Sequence, residues 1–173
     1  FTDNLIFDGD SVFTSMGGWS VTGNHFYSGT AFFNRLSFGT RINNNWFEEI
    51  ADLNDFIDET VSFDNNTCQD DVFVRFGASG RVIVMNGNNF QGANAQVVHD
   101  FFATDRHIVI NGGSFSNPIP VIWTNAASTG RVTMNDVFVY DANYNSIGAG
   151  YVLRGSKDAT IGRFYRNVYA NAA

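Results

Sequence analysis

The strongest constraint on the fold is a pattern that the chain repeats along most of its length. Two alternating apolar residues precede a polar or small residue, and a bulky residue or a cysteine follows three or four positions later. The pattern is clearest in "GRVIVMNGNNF" (Gly80–Phe90), "DRHIVINGGSF" (Asp105–Phe115) and "GRVTMNDVF" from Gly130. The anchor residue recurs at intervals of 21, 21, 22, 25, 24 and 27 residues, at Thr22, Asn43, Asp64, Asn86, Asn111, Asn135 and Gly162. Such a period predicts a solenoid.

Each copy also carries a second apolar run ahead of the anchored one. Examples are "VFVRF" (Val72–Phe76), "QVVHDFF" (Gln96–Phe102) and "PVIW" (Pro120–Trp123), separated by clusters of Gly, Asn, Ser and Asp that favour turns. Two or three short strands per 21–27 residues are typical of a parallel β-helix. We therefore predict an all-β fold, a single-stranded parallel β-helix of about seven rungs over residues 19–173, with residues 1–18 as an N-terminal cap or lead-in segment.

The pattern resembles the right-handed parallel β-helix superfamily, which contains pectate-lyase-like enzymes and phage tailspikes. The resemblance runs from about Trp19 to Tyr169 and implies a right-handed coil with an asparagine ladder at one inner turn. Four anchors match that ladder, namely Asn43, Asn86, Asn111 and Asn135. Three anchors do not, namely Thr22, Asp64 and Gly162, so a discontinuous ladder is expected.

The apolar residues give further expectations about the interior. Phe90, Phe115 and Phe138 share a position in the repeat and predict a stack of core aromatic rings. The single cysteine, Cys68, is expected to be a small buried apolar residue. The stretch "WFEEIADLNDFID" (Trp46–Asp58) has apolar residues at helical spacing and predicts a short helical turn, although the regular 21-residue steps around it favour an ordinary coil of the solenoid.

Charge and cysteine content exclude several classes of function. Ten basic residues stand against 17 acidic ones, a net charge of −7, which argues against nucleic acid and anionic membranes as partners. One cysteine cannot form a disulfide scaffold, and the three histidines do not have the spacing of metal ligands. No apolar run approaches the length of a membrane span. We expect neither a metal nor a cofactor.

Carboxylates on neighbouring rungs are the candidate catalytic residues. A glycosidase needs two carboxyl groups on either side of the sugar bond, and Asp70, Asp71 and Asp100 are the candidates if the chain is a hydrolase. The commoner interpretation is that these aspartates mark turns and solvated strand ends. A lyase would need a basic residue to abstract a proton, and the cluster of Arg154, Lys157 and Arg163 has no acidic calcium site beside it.

Arginines and one tryptophan are the candidate ligand-binding residues. Arg81, Arg106 and Arg131 open three consecutive rungs, and stacked guanidinium groups suit sulfated or uronic-acid sugars. Salt bridges to nearby acids are the favoured alternative. Trp123 is a candidate for stacking on a sugar ring.

These observations lead to an expectation about function. The short chain, the few charges and the lack of a convincing catalytic group favour a non-enzymatic structural or attachment component of a phage or virus particle, such as a spike, fibre segment or capsid decoration protein. Its expected location is the virion or the extracellular space. The expected partners are two further copies in a homotrimer, other virion proteins and a cell-surface polysaccharide. The alternative is a polysaccharide hydrolase or lyase of the β-helix type.

Overall fold

The structure is a computed structural model that describes residues 1–37, 39–56, 60–76, 82–91, 97–100, 107–116, 122–124, 131–140, 153–154, 164–165 and 169–170. Within these ranges all regular structure is β-strand, joined by turns and bends. The strands form three sheets in which all pairing is parallel, so the all-β prediction is confirmed.

Successive strands visit the three sheets in rotation. Sheet 1 has eight strands: β1 (Leu5–Ile6), β4 (His25–Phe26), β7 (Trp46–Phe47), β10 (Thr67–Cys68), β13 (Asn89–Phe90), β16 (Ser114–Ser116), β19 (Phe138–Tyr140) and β22 (Tyr169–Ala170). Sheet 2 has seven: β2 (Ser11–Thr14), β5 (Ala31–Asn34), β8 (Ala51–Phe56), β11 (Val72–Phe76), β14 (Val97–Asp100), β17 (Ile122–Thr124) and β20 (Leu153–Arg154). Sheet 3 has seven: β3 (Ser20–Thr22), β6 (Arg41–Asn43), β9 (Thr60–Asp64), β12 (Val82–Asn86), β15 (His107–Asn111), β18 (Arg131–Asn135) and β21 (Phe164–Tyr165). The chain is therefore a β-solenoid, and β1–β12, in groups of three, make about four turns of it.

The register of sheet 3 follows the repeat that the sequence predicts. The first six anchors pair in succession, each with the next: Thr22, Asn43, Asp64, Asn86, Asn111 and Asn135. The seventh anchor was placed wrongly, because Asn135 pairs with Tyr165. Gly162 itself lies outside the described residues.

Residues 1–18 contribute strands to the solenoid. β1 pairs with β4 and β2 pairs with β5, as later strands of the same sheets do. Met16 is fully buried in the core. The segment expected as an N-terminal cap or lead-in thus carries two strands of the first turn.

The predicted helical turn at residues 46–58 is wrong for the described part of that stretch. Residues 46–47 form β7, and residues 51–56 form β8, which pairs with both β5 and β11. Ala51 and Leu53 are fully buried while Asn54 is partly exposed. Backbone pairing on both sides selects the two-residue alternation of a strand over the helical spacing of the apolar residues.

Sheet 1 supplies a column of large apolar side chains to the core. Phe26 and Phe47 stack with ring centroids 4.9 Å apart, and Phe90 and Phe115 stack at 4.3 Å. Cys68 pairs with Phe47 and Phe90 in this column and is fully buried, so burial raises the pKa of its thiol and the predicted apolar role is confirmed.

The predicted place of Phe138 in this stack is wrong. The strand register pairs Phe115 with Val139 and places Phe138 beside Ser114. The aromatic column of the repeat therefore does not continue through Phe138, because that rung is offset by one residue.

Two polar ladders run along the corner between sheets 3 and 1. Each turn there has three residues: one at or near the end of sheet 3, one with positive φ, and one that precedes sheet 1. The third residue is buried in five of the described turns, at Asn24, Asn45, Asn66, Asn88 and Val137. The middle residues have φ between 52° and 69°: Asp3, Gly23, Asn44, Asn65, Gly87, Gly112 and Asp136. Asn, Asp and Gly tolerate this left-handed conformation best, which explains their abundance at this corner.

The inner ladder consists of Asn4, Asn24, Asn45, Asn66 and Asn88, and the last four are at most 2% exposed. From Asn4 to Asn66, each Nδ2 donates to the Oδ1 of the next turn, at 2.9, 2.9, 3.1 and 3.2 Å. The same Oδ1 atoms accept the backbone N–H of the preceding asparagine at 2.8–3.0 Å. This ladder was missed, because its residues lie two positions after the anchors.

The outer ladder consists of Asp64, Asn86, Asn111 and Asn135, which are partly exposed. Here each Nδ2 donates to the preceding turn, at 2.5, 2.8 and 2.7 Å. The predicted asparagine ladder is thus real from Asn86 to Asn135, but Asp64 takes part in it and Asn43 does not. It lies at the partly exposed edge of the corner rather than in the interior.

Candidate functional site

The predicted catalytic carboxylates lie at opposite ends of one sheet. Asp70 and Asp71 precede β11, and the N–H of Asp71 donates to Asp70 Oδ1 at 2.8 Å. Asp100 ends β14 and pairs with Arg75, four residues along the strand from Asp71. At about 3.3 Å per residue this is about 13 Å, more than the roughly 5–9.5 Å between the two carboxyl groups of a glycosidase. The register does not bring the two ends together.

Of the three arginines predicted to bind a ligand, only Arg131 lies within the described residues. Arg131 opens β18 and pairs with His107, which in turn pairs with Val82. Arg81 and Arg106 lie outside the described residues, one position before Val82 and His107.

Trp123 belongs to a column of sheet 2 positions that alternate with core positions. It lies on β17 and pairs with Val98 and Arg154. In earlier turns the same column passes through Val12, Phe32, Asp52 and Phe73. Their sequence neighbours Ala31, Phe33, Ala51, Leu53, Val72 and Val74 are buried in the core. The described members of this column therefore form the outer face of sheet 2.

Asp52 is the most unusual residue of this face. It is only 6% exposed, with Phe32 and Phe73 as its neighbours in the register. Its Oδ2 accepts a hydrogen bond from the Arg75 guanidinium, which lies 5.0 Å from the centroid of the Phe73 ring. Cation–π attraction to Phe73 helps to hold Arg75 over the carboxylate.

The other carboxylate oxygen of Asp52, Oδ1, is buried, and no group in the described part of the chain donates a hydrogen bond to it. Burial raises the pKa of Asp52, whereas the charge and the hydrogen bond of Arg75 favour the ionised form and oppose that rise. A nearly buried carboxyl group with one unpaired oxygen is the kind of group that occurs at binding sites.

A depression of about 460 Å³ adjoins Asp52 on the outer face of sheet 2. It is lined by Asp10, Val12, Thr30, Phe32 and Asp52. Asp10 Oδ1 accepts the backbone N–H of Thr30 at 2.7 Å, which fixes one rim. Val12 is 63% exposed and Phe32 is partly exposed, so apolar surface forms the floor. Polar acceptors thus surround an apolar centre.

A second surface of note lies on the outer face of sheet 1. His25 and Tyr27 stack with ring centroids 3.6 Å apart, Phe7 stacks on Tyr27 at 4.4 Å, and Trp46 is tilted against His25 at 5.4 Å. His25 Nε2 lies 2.9 Å from Glu48 Oε1. We call Phe7, His25, Tyr27 and Trp46 the aromatic row.

The repeat itself contains the signal that identifies the Asp52 site. The helical spacing of the apolar residues around Asp52 hides its place on a strand. The register instead pairs it with Phe32 and Phe73, 20 residues before and 21 residues after it. An acid between two aromatic residues on neighbouring turns would have identified this column.

Across the described ranges, no three His, Cys, Asp or Glu side chains are grouped to hold a metal ion. No helix of the described residues is long and apolar enough to cross a membrane. No family model, curated protein or solved structure matches this chain.

Proposed function

We propose that this chain is a structural or attachment component of a phage or virus particle, such as a spike, fibre segment or capsid decoration protein. In this proposal it is a right-handed parallel β-helix of about seven rungs, related to the superfamily of tailspikes and pectate-lyase-like proteins. It acts at the virion surface or outside the cell.

The observation that carries the proposal is the stacking of three parallel sheets along the chain. Backbone hydrogen bonds, the two ladders and the sheet 1 column all connect neighbouring turns, so the fold suits a stiff spacer. The candidate acids do not favour catalysis, because Asp70 and Asp71 are separated along the strand from Asp100. Asp52 is paired with Arg75 rather than with a second carboxyl group.

Exposed apolar residues support association with further subunits. Among the side chains that the structure describes, six large apolar ones are 38–63% exposed: Phe1, Leu5, Phe7, Val12, Trp19 and Trp46. Three of them, Leu5, Phe7 and Trp46, lie on or directly after strands of sheet 1, and exposed apolar patches mark interaction surfaces. We assign this part of sheet 1 to contacts within a homotrimer and with other virion proteins, leaving the outer face of sheet 2, with Val12, for a polysaccharide.

The experiment is a mass measurement by light scattering on the purified chain, with polysaccharide digestion assays in parallel. We expect a trimer and no release of reducing ends or unsaturated sugars. Replacing Leu5 and Phe7 by Ser should give monomers with unchanged circular dichroism, whereas replacing the exposed polar residues Thr14 and Arg41 by Ser should leave the trimer intact. A monomeric wild-type chain that cleaves a polysaccharide would overturn the proposal in favour of a hydrolase or lyase.

A further inference from the structure

We propose that the depression beside Asp52 binds one neutral sugar ring of a polysaccharide, with Asp52 accepting a hydroxyl hydrogen bond and Phe32 packing against the C–H face of the ring. The proposal names the ligand and the residues of the attachment function, and it rests on that function. It places the ligand on the outer face of sheet 2, near the N-terminal turns.

The need for a hydrogen-bond donor is the first argument. Asp52 is 6% exposed and its Oδ1 has no donor among the described residues. A buried acceptor without a donor is unfavourable, and a ligand hydroxyl removes that cost. Asp52 itself lines the depression, and the last torsion of an aspartate is broad and two-fold, so its carboxylate can present an oxygen to a ligand there.

The charge balance selects a neutral donor. The guanidinium of Arg75 already compensates the carboxylate through Oδ2. A second cation at Oδ1 would meet Arg75 at short range and be repelled. A hydroxyl group supplies the missing hydrogen bond without adding charge.

The shape and lining select a ring with an apolar face. The depression has a volume of about 460 Å³ and is open to solvent, so it has room for one sugar ring packed against its apolar floor. Val12 and Phe32 provide the apolar floor, and Asp10 and Thr30 provide a polar rim. A sugar ring combines an apolar C–H face with a rim of hydroxyl groups, so it matches both features at once.

Saturation-transfer NMR with methyl glycosides of glucose, galactose and mannose tests this directly. We expect at least one glycoside to bind the wild-type chain. Asp52→Asn and Phe32→Ala should each weaken binding at least about tenfold. The matched control is Tyr27→Ala, which removes a partly exposed aromatic ring from the aromatic row and should leave binding unchanged. Thermal melts show which variants are folded, and Val12→Ser gives a second test of the apolar floor should Asp52→Asn fail to fold.

Other outcomes overturn the inference in distinct ways. Loss of binding in Tyr27→Ala but not in Phe32→Ala would move the sugar to the aromatic row. Binding of tetramethylammonium but of no glycoside would show that the depression prefers a cationic ligand. Failure of every probe to bind would show that the depression is not a ligand site. Light scattering measures the oligomeric state independently of these probes. A trimer that binds no glycoside would therefore refute this inference and leave the proposed function standing.

Discussion

Both ladders connect neighbouring turns through side-chain hydrogen bonds, but their amides donate in opposite directions along the solenoid. In the inner ladder each amide donates towards the next turn, and in the outer ladder each donates towards the preceding one. The inner asparagines also satisfy backbone groups that are closed off from water, because each Oδ1 accepts a main-chain N–H. The outer side chains are partly exposed, so water can replace a lost partner. Burial, rather than residue type, should decide what each ladder contributes to stability.

The largest expected effect lies where the inner ladder stops. Gly113 follows Asn88 in the repeat, has φ of +77°, and a Cβ there would lie 2.0 Å from the carbonyl oxygen of Asn88. Gly113→Ala should therefore lower the free energy of unfolding by about 5 kcal/mol, because the backbone of one turn has to move. Chemical denaturation measures this.

The neighbouring glycine is the matched control. Gly112 also has positive φ, at +62°, but a Cβ there meets no atom within 4 Å. Gly112→Ala should cost only the backbone strain, about 1–2 kcal/mol. Equal losses of unfolding free energy in Gly113→Ala and Gly112→Ala would contradict this explanation. They would show that the close approach of the Asn88 backbone is not what excludes a side chain at position 113.

The second prediction compares one residue from each ladder. Asn66→Ala removes the acceptor of the Asn45 N–H and the donor to the Ile42 carbonyl, and leaves both groups buried. The expected loss is about 3–5 kcal/mol, since each orphaned group costs about 1–3 kcal/mol.

The control for that variant comes from the outer ladder. Asn111→Ala should cost about 1 kcal/mol or less, because its neighbours Asn86 and Asn135 are partly exposed. Urea unfolding of Asn66→Ala and Asn111→Ala measures the two losses in the free energy of unfolding. Similar losses would contradict the role assigned to burial.

The sequence predicts the repeat better than it predicts which side chains are inside. The strand-ending anchors pair through Asn135 because a one-residue slip would turn every apolar side chain outwards. The inner ladder is hidden from strand periodicity, since the positive φ of residues such as Asn65 interrupts the two-residue alternation just before Asn66. The Asp52 site was missed for a related reason, because helical spacing in residues 46–58 obscured the strand register.

The third prediction concerns Asp52. Unlike the buried asparagines of the inner ladder, it has a hydrogen-bond partner among the described residues for only one of its two side-chain oxygens. Burial raises the pKa of Asp52 above its unfolded value of about 3.9. Between the unfolded and the folded pKa only the folded chain holds that proton, so the free energy of unfolding falls as pH rises through this window. The proton-linked stability is complete below the unfolded pKa and lost above the folded one.

Asp52→Asn should remove this fall with pH. Asp10→Asn, at the exposed rim of the same depression, should keep it, because the Asp52 carboxyl group is still present. Denaturation midpoints measured from pH 3 to pH 8 provide the comparison. A pH dependence that survives in Asp52→Asn would assign it to another group.

The smallest effect is expected at the Asp64 end of the outer ladder. The side chain of Asp64 accepts from Asn86 but has no donor of its own, so the outer ladder ends there. In the turn before it, the buried Oδ1 of Asn43 has no hydrogen-bond partner among the described residues. Asp64→Asn keeps Oδ1 for Asn86 and puts an Nδ2 in place of the Oδ2 that accepts from Ser62 Oγ, so that the new Nδ2 can donate to Asn43. Ser62 is partly exposed and can donate to water instead, so the free energy of unfolding should rise by about 1 kcal/mol or less. In Asn43→Ala background the same substitution should give no gain, since the acceptor is gone. A gain that persists there would show that the removed charge, rather than the new hydrogen bond, stabilises the chain.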